Sequence, residues 1–378
     1  MTDERNLFLQ ILSSLRLLFS ENAIDHDALV DYYFELLDAC VKHWDWLRDG
    51  CNSDERAGTS PDWMGSFRNS LAFLPMKLFS TISDAPQYQE DLFLLRKKTS
   101  DFAEKAGKAI SEDDRFGRYI CCGIGANLNT WLRVSPKLMW IDYRAVLSAD
   151  NYNSFAAWNG ISNIRRLTTD LWTYIKDNLV EWIKRHSDTC GISLIRLLTI
   201  GAIDMEPTPE RQNIVNICAN LSPQAAAGCL RTLTKWMGTL SYADQQSELS
   251  EWLYPLLPSF AEQPQFQACA SVVASWLESD SPLRKCALEI LLEHYDEECQ
   301  EVRSSRVNLM QLGLEGDSMA KILIFFFKNT NAYSLQRMHI QEKLKPFDPS
   351  AISHELFSAL RDQVLRRQLD LPAGWDHL

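Results

Sequence analysis

Valine, glycine and proline are all scarce in this chain of 378 residues, and each scarcity excludes something. There are 11 Val against 51 Leu; Leu keeps its rotamer freedom in a helix, whereas Val loses it there and favours strands. Gly, at 15 residues, and Pro, at 14, fall below their average usage of roughly 7% and roughly 5%, so few tight hairpin turns can be built. Sheet architectures are therefore not expected. Long apolar runs are missing too: Ile322–Phe327 is far short of the roughly 20 residues that cross a bilayer. At the start of the chain, acidic residues precede a short apolar stretch interrupted by Ser13, Ser14 and Arg16, which fits neither a secretory signal nor a spanning helix. A cytoplasmic protein without a membrane partner is expected.

Positive charge is also in deficit. Lys and Arg total 38 against 50 Asp and Glu, a formal net charge of −12, so nonspecific attraction to nucleic acid or anionic lipid is not supported. Three common enzyme motifs, GxxxxGK[ST], HExxH and GxSxG, are missing from the sequence. The closest approach to a dinucleotide loop is Cys121-Cys122-Gly123-Ile124-Gly125-Ala126-Asn127, but Leu128 stands where the third glycine belongs and no strands surround it. Close packing of a helix pair at Gly123 and Gly125 is the better account.

What is present is helical periodicity. Leu7, Ile11, Leu15 and Leu18 recur at helical spacing, as do Leu29, Tyr33, Leu36, Leu37, Cys40, Val41 and Trp44 between Asp27 and Arg48. A polar loop, Asp49–Asp62, follows, and helical pattern resumes at Trp63–Ile82 and from Tyr88 to Ile110. The charged segment Ser111–Arg118 separates this part from an aromatic-rich middle, and His186–Ile192 looks like a helix end. Three regions are expected: an N-terminal helical region at 1–110, an aromatic-rich one at 111–192 and a C-terminal one at 193–378.

Ten cysteines are spread through apolar helical stretches without the dense spacing of a disulfide scaffold, and are expected to be reduced core thiols. The most metal-like cluster is His26, Cys40, His43 and Cys51. His26 and Cys40 are about 14 residues apart, roughly 20 Å of helix rise, which strains a single tetrahedral site. The acidic runs Glu112-Asp113-Asp114 and Asp296-Glu297-Glu298 read as solvated helix ends, because neighbours in sequence do not share a helix face. His186, His294, His339 and His354 are isolated. No catalytic residue, metal or cofactor is expected.

From Ser193 onward the punctuation becomes regular. Ser222–Pro223, Ser241, Pro264 and Ser281–Pro282 each precede an amphipathic run, and Ser followed by Pro suits a helix start because Ser caps free amides while Pro has none to lose. Trp residues sit in apolar triplets at helical spacing: Leu128/Trp131/Leu132, Leu179/Trp182/Ile183, Leu233/Trp236/Met237, Leu249/Trp252/Leu253 and Val273/Trp276/Leu277. Trp236, Trp252 and Trp276 are expected in the core, with Lys235, Glu248, Glu251 and Glu278 on the wet side. Helix starts about 20 residues apart make a two-helix period of about 40, which resembles the helical-hairpin repeats of the HEAT and armadillo kind. The resemblance is one of architecture and covers Ser193 to Tyr295. The fold expected is all-α: stacked helical hairpins forming an α-solenoid-like array, or an irregular helical bundle.

An array of this kind presents extended surfaces to other proteins. The function expected is thus a non-enzymatic scaffold or adaptor subunit that binds a protein partner in a larger complex. Its general texture, with no motif behind it, is similar to helical accessory subunits of bacterial nucleic-acid-processing or antiviral-defence complexes. The alternative is a subunit that touches nucleic acid through local basic faces at Arg165, Arg166, Lys184 and Arg185, beside Trp172, Tyr174 and Trp182, or at Arg361, Arg366 and Arg367.

Overall fold

A computed structural model describes residues 92–112, 115–129, 143–164, 166–187, 191–278, 281–302, 309–337 and 349–372, with parts of 34–49 and single residues at 132, 307, 340, 344 and 375. Among the described residues 80% are helical and none lies in a strand, so the fold is all-α. The expected helices at 4–20 and 63–82, the expected loop at 49–62 apart from Asp49, which is helical, and Trp131, Cys51 and Cys190 lie outside the described residues. No helix among the described residues is long and apolar enough to cross a membrane. The chain divides into two compact units, 1–182 and 183–378. Helices on the two sides of residue 111 pack against each other, which keeps that segment inside the first unit.

In the first unit, α1 (Leu92–Ser111) packs on α2 (Arg115–Ala126), and α2 makes its most extensive contact with α4 (Tyr152–Ile161); α3 (Tyr143–Ser148) lies against α4, and α5 (Thr169–Arg185) follows. The α2–α4 crossing is a backbone-to-backbone approach. A Cβ added at Gly160 would stand 2.0 Å from the Cys122 carbonyl oxygen, and one at Gly125 would stand 2.4 Å from that of Ala157. Gly125 thus serves helix packing, as the sequence implied. The crossing is pinned by polar groups that find partners: the Tyr143 hydroxyl donates to the Cys121 carbonyl at 2.6 Å, and the Trp158 indole donates to that of Leu147 at 3.1 Å. Asn151 and Ser154 form a capping box at the start of α4, and buried Asn153 donates to the Ile110 carbonyl, a free acceptor at the end of α1.

In the second unit, α6 (Ile192–Met205), α7 (Thr208–Leu221) and α8 (Pro223–Met237) pack pairwise, and α8 also packs on α11 (Gln265–Ser275). Alternate helices α6, α8 and α11 therefore share a layer, with α7 beside them. Between α8 and α11 the chain runs through α9 (Tyr242–Glu248) and α10 (Leu257–Ala261). Next come α12 (Leu283–Glu293), α13 (Gly316–Asn329), α14 (Ala332–Arg337) and α15 (His354–Arg366). The punctuation residues act as their chemistry dictates. Ser222 accepts from the Ala225 amide with Pro223 at the first helical position, Ser241 accepts from that of Asp244, and Ser281 from that of Leu283. The helix end expected at His186–Ile192 falls after Arg185, and Gly191 opens α6 as its N-cap. The apolar run of α13, Ile322–Phe327, is buried throughout, and Arg367 donates to the Phe327 and Lys328 carbonyls that end it.

Of the Trp triplets, those at Trp182, Trp252 and Trp276 are buried completely. Trp236 is half-buried instead, its ring 6.1 Å from that of Trp252, because α8 spends its most protected face on α6, α7 and α11. Glu248 is not on the wet side either: its carboxylate accepts from the Trp252 indole and pairs with Arg211 at 3.1 Å.

Cys40, Cys121, Cys122, Cys218, Cys229, Cys269 and Cys286 are free and buried, and Cys299 is free and half-buried. Burial pushes Cys40, Cys122 and Cys269 up to about 12 from an ordinary value of 9.0. Since the thiolate is the nucleophile, native protein at pH 8 should leave Cys122 and Cys269 unmodified by iodoacetamide until it unfolds. Mass mapping that finds either residue alkylated under native conditions would refute this core placement. These raised values also set a pH window: the stability contributed by keeping the thiols neutral is intact below about pH 9 and is lost as pH climbs toward 12.

Candidate functional site

A concavity lies between the 242–261 segment and α12. It consists of a groove of about 740 Å³ and an adjoining recess of about 310 Å³, both lined by Tyr254 and Cys286. One wall is irregular for a definite reason. Pro255 and Pro258 each lack an amide, and in a regular helix each ring would press on the carbonyl four residues before it. The chain answers with a π-helical turn at Leu249–Leu253, closed by a bond from the Tyr254 amide to the Leu249 carbonyl, and then a 3-10 turn at Tyr254–Leu256. Gln212 reaches the Trp252 carbonyl within this turn. Turns of this kind concentrate at functional sites.

That wall projects two aromatic rings outward. Tyr242 is 60% exposed and Tyr254 53%, while the floor between them is apolar, with Leu249, Leu257 and Cys286 buried. Ser281 donates to Gln245 at 2.7 Å and so ties the start of α12 to α9 at one end of the groove. The Tyr254 hydroxyl meets Glu289 at 3.4 Å, and the Glu289 carboxylate raises the phenol above its usual range. Burial, with Glu289 nearby, raises the Cys286 thiol too, leaving it a poor nucleophile.

Charge is distributed unevenly along the groove. Arg284 and Lys285 border the wider part, at the first turn of α12; Glu289, Glu293 and Glu262 border the recess, toward its last turn. This order opposes the helix macrodipole, which favours acids in the first turn and bases in the last. Lys285 and Glu289 are 3.9 Å apart, an exposed pair worth only about 0–1 kcal/mol. The arrangement thus costs α12 some stability rather than contributing to it.

The residues singled out from sequence lie on several elements. Arg165 lies outside the described residues; Arg166 is exposed ahead of α5, while Lys184 and Arg185 stand in its last turn, 17 helical residues on. Arg366 is exposed on α15, Arg361 is half-buried there, and Arg367 is the group that caps α13. Of the metal-like cluster, Cys40 is buried and His43 exposed, while His26 and Cys51 lie outside the described residues; among the described residues no three or more His, Cys, Asp or Glu converge as a metal site. Glu112 pairs with Arg48 and Lys108, and Glu297 with His294 at 2.7 Å; Asp113, Asp114 and His339 lie outside the described residues. Sequence reading marked Ser241, Ser281 and Pro282 only as punctuation and passed over Tyr242 and Tyr254. The available signal was Tyr254 beside the closely spaced Pro255 and Pro258.

No protein-family model, curated protein or solved structure matches the chain.

Proposed function

We propose that this protein is a non-enzymatic helical scaffold, built on repeats of the HEAT and armadillo kind, that docks a partner protein in the groove between the 242–261 segment and α12. The observation that carries the reading is the pair of outward tyrosines over an apolar floor. Tyr is a favoured anchor at interfaces because it offers a large, stiff, amphipathic surface, and truncating such an anchor costs about 2 kcal/mol or more of binding. Stacked helical hairpins suit the role, since each unit contacts mainly its neighbours and leaves one surface continuous.

The test is quantitative affinity capture from the native host, comparing the wild-type chain with Tyr242→Ala/Tyr254→Ala. A loss of about 2 kcal/mol weakens binding roughly thirtyfold, so a partner retained by the wild type should nearly vanish from the double variant. Both side chains are more than half exposed, so the melting temperature should hardly change. A partner profile identical for the two proteins would overturn the assignment of this groove.

A further inference from the structure

The charge order of the groove identifies what it holds, on the reading that the groove is a docking site. We infer that its occupant is an amphipathic helix of a partner protein, lying parallel to α12, with acidic residues in its first turn, apolar residues on the face toward Tyr254, and basic residues in its last turn.

Three observations lead there. The first is complementarity: the exposed Lys285 at one end calls for an acid, and Glu289, Glu293 and Glu262 at the other call for bases. That sequence of charges is the one that the macrodipole favours within an isolated helix. The second is the inverted order on α12 itself, where cations occupy the first turn and carboxylates the last. An arrangement that costs the fold stability fits a surface shaped for something other than folding. The third concerns the walls. Both are helical, with backbone groups largely committed to their own turns, so an extended peptide would find no sheet edge to bond with. A helix satisfies its own backbone and brings only side chains to the groove. From Arg284 to Glu293 is nine residues, about 13 Å of rise, which matches about two and a half turns of a docked helix.

The Lys285–Glu289 pair does not hinder this. Both groups are exposed, so releasing them toward a partner's opposite charges loses little.

The experiment uses a display library of 14-residue helical peptides, selected on the full chain and on the reversed-charge variant Lys285→Glu/Glu289→Lys/Glu293→Lys. Peptides from the wild-type selection should carry acids first and bases last, and those from the variant the opposite order. By fluorescence anisotropy each set should bind its own protein about tenfold more tightly than the other, the size expected of a few rim charge pairs changing sign together. The variant should also melt slightly above the wild type, because its α12 charges now agree with the macrodipole. The inference falls if the same peptides bind both proteins equally, if selected peptides bind without helical structure, or if selection yields nothing beyond that on Tyr254→Ala. It also falls if sedimentation shows a self-association that the variant abolishes, since the occupant would then be a second copy of this chain. Partner capture that depends on Tyr242 and Tyr254, with no charge-ordered peptide emerging, would leave the docking role standing and remove only the helical occupant.

Discussion

Gly160→Leu is expected to unfold the first unit at temperatures where the wild type is intact, with a loss of at least about 3 kcal/mol. The cause is geometric. A Cβ at this position stands 2.0 Å from the Cys122 carbonyl oxygen and 2.9 Å from the Ala126 amide nitrogen, both backbone atoms of α2 that have no rotamer to retreat into. The helices must separate, and the separation loosens the Gly125–Ala157 contact on the same interface and the packing around Tyr143. Even Gly160→Ala should destabilise. Alanine gains about 1 kcal/mol of helix propensity over glycine, but overpacking a tight core costs about 1–3 kcal/mol, and this clash is with backbone. A loss of 3 kcal/mol in a unit of this size lowers the melting temperature by about 6–12 °C, which calorimetry resolves readily. Gly191→Ala is the control: nothing lies within 4 Å of its added Cβ, and its φ of −62° is open to any residue, so its midpoint should stay within about 1 °C. A Gly160→Ala protein as stable as the control would mean that α2 and α4 do not cross there.

Legibility from sequence followed the physics of each feature. Helix content was readable because it depends on residue preferences that act locally, such as Leu over Val, and the Ser-Pro starts were readable because capping involves residues two or three apart. Gly125 was assigned correctly to packing, yet Gly160, which faces the same interface, gave no sign, since close approach depends on which two helices meet. Trp236 and Trp252 look alike in sequence, and only the neighbours of α8 and of the π-helical turn Leu249–Leu253 separate them. The groove was the least legible feature. Its walls are 30 to 40 residues apart in the chain, and the reversed charge order of α12 acquires meaning only when Tyr254 stands across from Glu289.

Trp252→Ala should produce the largest loss of stability in the second unit. The side chain is fully buried and stands under the guanidinium of Arg211, 5.3 Å from its ring centroid. Truncating such a residue removes about 3–5 kcal/mol, a large part of a typical total of 5–15 kcal/mol. It also removes the indole that donates to Glu248, whose carboxylate pairs with Arg211 of α7. Trp252→Phe separates the two effects: it keeps most of the apolar volume and deletes the donor, so it should cost about 1.5–3 kcal/mol, the range for hydrogen bonds to charged groups. Trp236→Ala, at a half-buried position, should cost less than Trp252→Ala and no more than about 2 kcal/mol, because part of its surface is already in water. Urea unfolding read by hydrogen exchange in 208–261 assigns each loss to this segment. An order in which Trp236→Ala costs more than Trp252→Ala would place the indole of Trp236, rather than that of Trp252, at the centre of this part of the core. The π-helical turn that carries Trp252 would then lose its anchor, and with it the reason that Tyr254 faces outward over the groove.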